Sequence, residues 1–140
     1  MNASIAMKQV KQSSFADLEW AGKKRVTRRE RFLSEMERVV PWGRLKALIE
    51  PKYPSAGRVG RQPVGLERML RLYFAQQWLG LSDEGLEDAV YDSAALRQFV
   101  GVDLQAVPDA TTLLKFRRLL EDNELTQAIF AEVNAQLEQK

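Results

Sequence analysis

The chain holds no cysteine and no histidine among its 140 residues. Without cysteine there are no disulfides, no thiolate zinc sites and no thiol nucleophile. Without histidine the usual general base and the commonest metal ligand are missing as well. Long apolar runs are also lacking: no stretch approaches the roughly eighteen residues of a membrane span. The N-terminus has no apolar core of a secretory signal. There is no Gly-rich phosphate loop and no convergent set of acids, so no residue is assigned a catalytic or metal-binding role. These absences predict a cytoplasmic chain with no membrane partner and no small-molecule substrate. What is present is a 45% hydrophobic composition, enough for one domain of ordinary size to bury a core without staples.

The net charge of +2 conceals an asymmetry. Residues 1–31 carry eight Lys or Arg against three acids, whereas residues 32–140 carry thirteen against sixteen. A basic arm on a near-neutral body signals nucleic-acid contact or a solvated tail.

Met1 to Gly22 is polar and aperiodic, with Phe15, Leu18 and Trp20 among its large apolar residues. It reads as a flexible arm that docks through those three. The run Lys23, Lys24, Arg25, Arg28, Arg29 and Arg31 leads directly into a helix. Thr27 and Glu30 have the spacing of a capping box, and Phe32, Leu33, Met36, Val39 and Val40 recur on one face. Pro41 ends that helix and opens another with Trp42, Leu45, Leu48 and Ile49 inward, stopped by Pro51 and Pro54. Residues 52–63 form a loop without apolar periodicity. It is either a plain connection or a phosphate-contacting loop in which Arg58 and Arg61 are the candidates.

From Gly65 to Trp78 the pattern is apolar nearly all round, as expected of a central helix. Its aromatics, Tyr73, Phe74 and Trp78, read as core and not as a stacking site. Gly80 and Ser82 supply a stop and a cap. The acids that follow, Asp83, Glu84, Glu87 and Asp88, could be read as a Mg²⁺ site, but the helix dipole and exposure account for them. Ser93 opens a short helix with Leu96, Phe99 and Val100 buried, and Gly101 closes it.

Asp109 caps a helix over residues 110–121. Leu113, Phe116 and Leu120 cluster on one side, Thr111, Leu114, Lys115 and Arg118 on the other, and Arg117 lies at the margin. Two short helices, a turn and a basic amphipathic helix match the helix-turn-helix plan, in which N-terminal side chains such as Thr111 and Thr112 reach base edges. The connecting loop is longer than the usual turn, and a packed surface helix fits the same pattern. Finally, Leu125, Ile129, Val133 and Leu137 make a stripe that needs a partner: the body of the domain, a second copy, or a further domain.

Taken in order, several strings resemble one family. They are Ser14-Phe15-Ala16-Asp17; Lys23-Lys24 with Thr27-Arg28-Arg29-Glu30 and Phe32-Leu33; Val39-Val40-Pro41-Trp42; and Pro51-Lys52-Tyr53-Pro54. Further along come Leu66-Glu67-Arg68-Met69-Leu70 with Gln76-Gln77-Trp78, then Leu81-Ser82-Asp83, Tyr91-Asp92, and Pro108-Asp109-Ala110-Thr111-Thr112-Leu113 with Phe116-Arg117. Together they are similar to the N-terminal domain of bacterial insertion-sequence transposases of the DDE type, in the family named after insertion sequence five. The resemblance implies a helical region that binds terminal inverted repeats and helps to pair two transposase copies. It places strand cleavage in a following RNase H-like domain with three metal-binding acids. None of those acids can be carried onto this sequence, which ends at Lys140. Asp109-Ala110-Thr111 imitates the string around the family's first catalytic acid, but Pro108 before it and the helical run after it make Asp109 an N-cap.

The expectation is therefore an all-α, compact multi-helix bundle with a helix-turn-helix-like portion. Residues 1–22 form the arm, 23–122 a DNA-binding domain, and 123–140 an amphipathic helix leading towards an absent catalytic domain. DNA contact is assigned to Lys23, Lys24, Arg25, Arg28, Arg29, Arg31, Arg58, Arg61, Thr111, Thr112, Lys115, Arg117 and Arg118. The partners are double-stranded DNA at element ends and either a second copy or full-length transposase. No cofactor belongs to this chain, Mg²⁺ being implied for the catalytic domain alone. The alternative is a self-associating module that acts as a truncated inhibitor of transposition.

Overall fold

The computed structural model describes residues 18–20, 22–54 and 64–138. Seven helices are delimited there: α1 (Arg28–Val39), α2 (Trp42–Ile49), α3 (Leu66–Leu79), α4 (Asp83–Asp92), α5 (Ala94–Val100), α6 (Ala110–Asp122) and α7 (Leu125–Glu138). A 3-10 turn over Glu50–Lys52 extends α2, and the described residues contain no strand. The fold is all-α. Of the arm, only residues 18–20 and 22 are described, and these are helical where an aperiodic segment was expected. Trp20 is half-buried there, its ring 4.5 Å from the Lys23 ammonium.

Local chemistry explains where the helices begin and end. Thr27 Oγ1 accepts from the Glu30 amide at 3.2 Å while the Glu30 carboxylate accepts from the Thr27 amide at 2.9 Å, a reciprocal capping box. Ser82, Ser93 and Asp109 cap α4, α5 and α6 by accepting from the amides of Gly85, Leu96 and Thr112 at 3.0, 3.1 and 2.8 Å. Gly80 and Gly101 end α3 and α5 at φ 63° and 87°, a region that a side chain would disfavour.

The core is arranged around α3. One stripe of α3, Arg71, Phe74 and Trp78, faces α1, α2 and α5; a nearly opposite stripe, Met69, Tyr73 and Gln76, faces α4 and α6. On the first side Trp42 packs edge-on against Phe74 at 5.6 Å, and Phe32 packs against Trp78 at 5.2 Å. Phe32 therefore meets the core only by its edge and keeps 39% of its exposure, although it shares the spacing of buried Leu33. On the second side Phe116 lies between Tyr73 and Tyr53, at 6.3 and 6.0 Å. The Tyr53 hydroxyl donates to the Val64 carbonyl, and burial pushes this phenol up to about 12.

Helix α7 packs across α2 and α6. Ile129 is fully buried, with Leu125 and Val133 packed against the core. The body of the domain thus covers most of the terminal stripe, and the helix belongs to the same packed unit.

Arg71 sits inside this apolar arrangement with 8% exposure. Its Nη2 lies 2.5 Å from Glu37 and its Nε 3.1 Å from Glu67, while Nη1 donates to the Phe99 carbonyl at 3.0 Å. The guanidinium also stacks 4.5 Å from the Trp42 ring and 5.0 Å from the Phe99 ring. Exposed ion pairs contribute less than about 1 kcal/mol. Here only the guanidinium is desolvated, because the side chains of Glu37 and Glu67 keep 53% and 42% of their exposure. The planar fork reaches three acceptors in fixed directions while its flat faces stack on Trp42 and Phe99, a combination a lysine ammonium cannot make. Replacing Arg71 with Met should cost roughly 2–4 kcal/mol in urea unfolding, since it strands the Phe99 carbonyl and empties the stack. Arg71→Lys should recover little of it.

Candidate nucleic-acid interface

The basic run enters α1 through a loop whose last residues are held by the capping box. Lys24, Arg25, Arg28, Arg29 and Arg31 are all exposed, and no ion pair engages them among the described residues. At 100° per residue, Arg28, Arg29 and Arg31 fan around the first turn instead of lining one stripe. Glu30 is the sole acid in that turn. Three arginines at a helix N-terminus oppose the macrodipole, an arrangement that does not favour the helix and concentrates positive potential at its tip. Lys23 differs: its ammonium is held by Glu30 and by the Arg25 carbonyl, the latter at 2.6 Å. That ammonium, together with the Thr27 amide, holds the Glu30 carboxyl below its ordinary range. Lys23 therefore braces the segment before α1 against its first turn.

On α6 the exposed side carries Thr111, Lys115 and Arg118, at spacings of four and three, with Leu114 and Thr112 half-buried beside them. Leu113, Phe116 and Leu120 fill the opposite face. Arg117 turns inward. Its Nη1 lies 2.5 Å from Asp83 and its Nε 3.9 Å from Glu121, so this cation ties α6 to α4. Asp83 also accepts from the amide of buried Gln76 at 2.8 Å. The same oxygen thus joins α3, α4 and α6.

The structure separates the two cation sets. α1 sits on the Arg71 and Trp78 side of α3, and α6 on the Tyr73 and Gln76 side. They form two positive surfaces, one on each flank of the central helix. Arg58 and Arg61 lie outside the described residues. The helices around the loop 102–108 also depart from the simplest helix-turn-helix arrangement, because α6 packs chiefly on α4, α3 and α7, while α5 packs on α1, α3 and α4.

The four acids of α4 divide. Glu84 and Asp88 are exposed, whereas Asp83 and Glu87 turn inward; Glu87 accepts from the Ala110 amide at 2.8 Å. Their roles were not apparent from the acid pattern, yet a signal existed: Asp83, Glu87 and buried Val90 share one stripe of the helical wheel. Among the described residues, no group of three or more acids converges as a metal site would require. No helix among them is long and apolar enough to cross a membrane.

A family model described as "Transposase domain (DUF772)" matches residues 21–119, which include α1 and all of α6 but its last three residues. No solved structure matches the chain.

The Asp83 carboxyl is held below its ordinary range chiefly by the hydrogen bond from Arg117; burial pushes it the other way, and the bond from Gln76 and the guanidinium charge add to the lowering. A depressed carboxyl contributes stability above its unfolded value, near 3.9, and loses it as pH falls through the folded value. Asp83→Asn should therefore be less stable than the parent by about 1–2 kcal/mol near neutrality, with the two stabilities converging once the pH falls below the folded value.

Proposed function

The chain belongs to the transposase domain family, and on that premise we propose that it is the DNA-binding and assembly module of an insertion-sequence transposase, acting on the terminal repeats of the element. In this reading it grips and aligns DNA. The phosphodiester chemistry, with its Mg²⁺, belongs to a transposase's catalytic domain.

The observation that carries the reading is the tip of α1. Five cations, Lys24, Arg25, Arg28, Arg29 and Arg31, stand exposed on a capped helix with no ion pair engaging them among the described residues. Folding has no use for charge placed against the dipole, whereas a phosphate backbone does. α6 supplies the complementary element: an exposed row of one hydroxyl and two cations on a helix whose other face is fixed in the core. Phosphate contacts by the arm position the protein, and base contacts from Thr111, Thr112, Lys115 and Arg118 specify the sequence. The portion α4–α6 then acts in the manner of a helix-turn-helix, with a longer connection before the reading helix.

Replacing Lys24, Arg25, Arg28 and Arg29 together by Ala should weaken binding to every duplex alike. The slope of log affinity against log salt should fall by about 3–4 units if each cation neutralises one phosphate. Replacing Lys115 and Arg118 should instead reduce discrimination between a terminal repeat and random duplex. Fluorescence anisotropy at several salt concentrations measures both, and unchanged titrations in the two variants overturn the assignment.

A second reading, self-association, rests on α7. Phe130 and Leu137 stand on its outer side with 46% and 52% exposure, in a stretch from Gln127 to Leu137 whose one charged residue, Glu132, is 4.0 Å from Arg44. Such a surface suits a second copy or a full-length transposase, and mixed assemblies would inhibit transposition. Removing the helix is a poor test, since Ile129 is fully buried and its loss opens the core. Light scattering of the double variant Phe130→Ser, Leu137→Ser is cleaner. A shift from dimer to monomer supports this reading, and a monomeric parent removes it.

A further inference from the structure

The two inward acids of α4 have a geometric consequence that neither helix capping nor core packing requires. Asp83 and Glu87 lie one turn apart on α4 and reach α6 at two points, Arg117 and the Ala110 amide, which are two turns apart on α6. One attachment would leave α6 free to pivot. Two attachments along its length fix both its rotation about its own axis and its sliding along α4. The Ala110 amide is one of the donors a helix N-terminus leaves open, and Asp109 already caps the next turn through the Thr112 amide. Glu87 thus supplies from a neighbouring helix what local capping does not reach.

We propose that Asp83 and Glu87 are positioning residues for sequence discrimination: they set the register of α6 so that Thr111, Lys115 and Arg118 project together as one reading edge. This rests on the groove-reading role given to α6 above. Base-edge hydrogen bonds are strongly directional, so a helix that pivots by a fraction of a turn loses base contacts while keeping phosphate attraction. The clamp therefore acts on specificity and leaves non-specific grip to the cations.

The test uses two readouts on the full chain. Because the sequence contains no cysteine, spin labels can be placed uniquely at Asp88→Cys and Asp122→Cys, both exposed, to report the α4–α6 distance distribution without DNA. Anisotropy then gives the affinity ratio between a short duplex enriched by the parent chain from a randomised library and a scrambled duplex. Asp83→Ala with Glu87→Ala, which removes both acceptors, should broaden the distance distribution and lower the ratio about tenfold, the scale of one lost base contact. Binding to the scrambled duplex should not fall. The exchange Asp83→Arg with Arg117→Asp keeps net charge, and Gln76 can turn its amide to suit the new partner, so both readouts should return toward the parent. If the double variant loses its helical circular dichroism, Glu87→Ala alone serves, since it removes only the bond to a single backbone amide. A distance distribution that stays narrow, or a ratio that stays at the parent value, overturns the proposal. A parent chain that enriches no duplex overturns the groove-reading role itself, a failure seen before any variant is made.

Discussion

A guanidinium at the centre of an apolar helix, Arg71 of α3, determines how half of the molecule is put together. Taking a charge out of water is costly unless every donor finds an acceptor. The acceptors here come from three places: Glu37 on α1, Glu67 one turn back on α3, and the Phe99 carbonyl on α5. Trp42 of α2 and Phe99 close over the faces of the same group. Four helices must therefore occupy definite places at once for one side chain to be satisfied. Apolar packing alone would tolerate more than one arrangement of helices so alike in character. A buried polar centre narrows that choice, since any arrangement that leaves it unpaired is penalised.

The second polar centre does the same on the far side of α3 with different chemistry. Gln76 and Arg117 converge on one oxygen of Asp83, and Glu87 adds a bond to the first amide of α6. The central helix thus carries one polar anchor toward α1, α2 and α5 and another toward α4 and α6. Each anchor fixes a helix whose exposed cations are the candidates for DNA contact. Stability and the proposed function meet at these anchors: the residues that orient the interface are not those that would touch a ligand.

Charge placement separates the two kinds of residue. Cations that serve the fold have acid partners: Lys23 holds Glu30, Arg71 holds Glu37 and Glu67, and Arg117 holds Asp83. Those at the tip of α1 and on the outer face of α6 have no ion-pair partner among the described residues. Their mutual repulsion opposes folding slightly, which a sequence shaped for stability alone would avoid. The two sets flank α3 on opposite sides.

Much of the helical plan was legible in the residues themselves, because its determinants act within about one turn. Thr27 with Glu30, Ser82, Ser93, Asp109, Gly80 and Gly101 each mark a helix end through bonds to neighbours in the chain. The apolar spacing of Leu33, Leu45, Ile49, Leu86, Leu96, Leu113 and Leu120 marks core positions that are all buried in the fold. Which polar groups belong inside was decided by tertiary structure alone. Arg71 reaches Phe99 across 28 residues, Glu87 reaches Ala110 across 23, and Asp83 reaches Arg117 across 34. Composition and periodicity cannot tell a solvated arginine from a clamped one, because ion pairing depends on what faces the side chain in space. Local bonds wrote the helices into the chain; only packing determined which of its charges remained available to a partner.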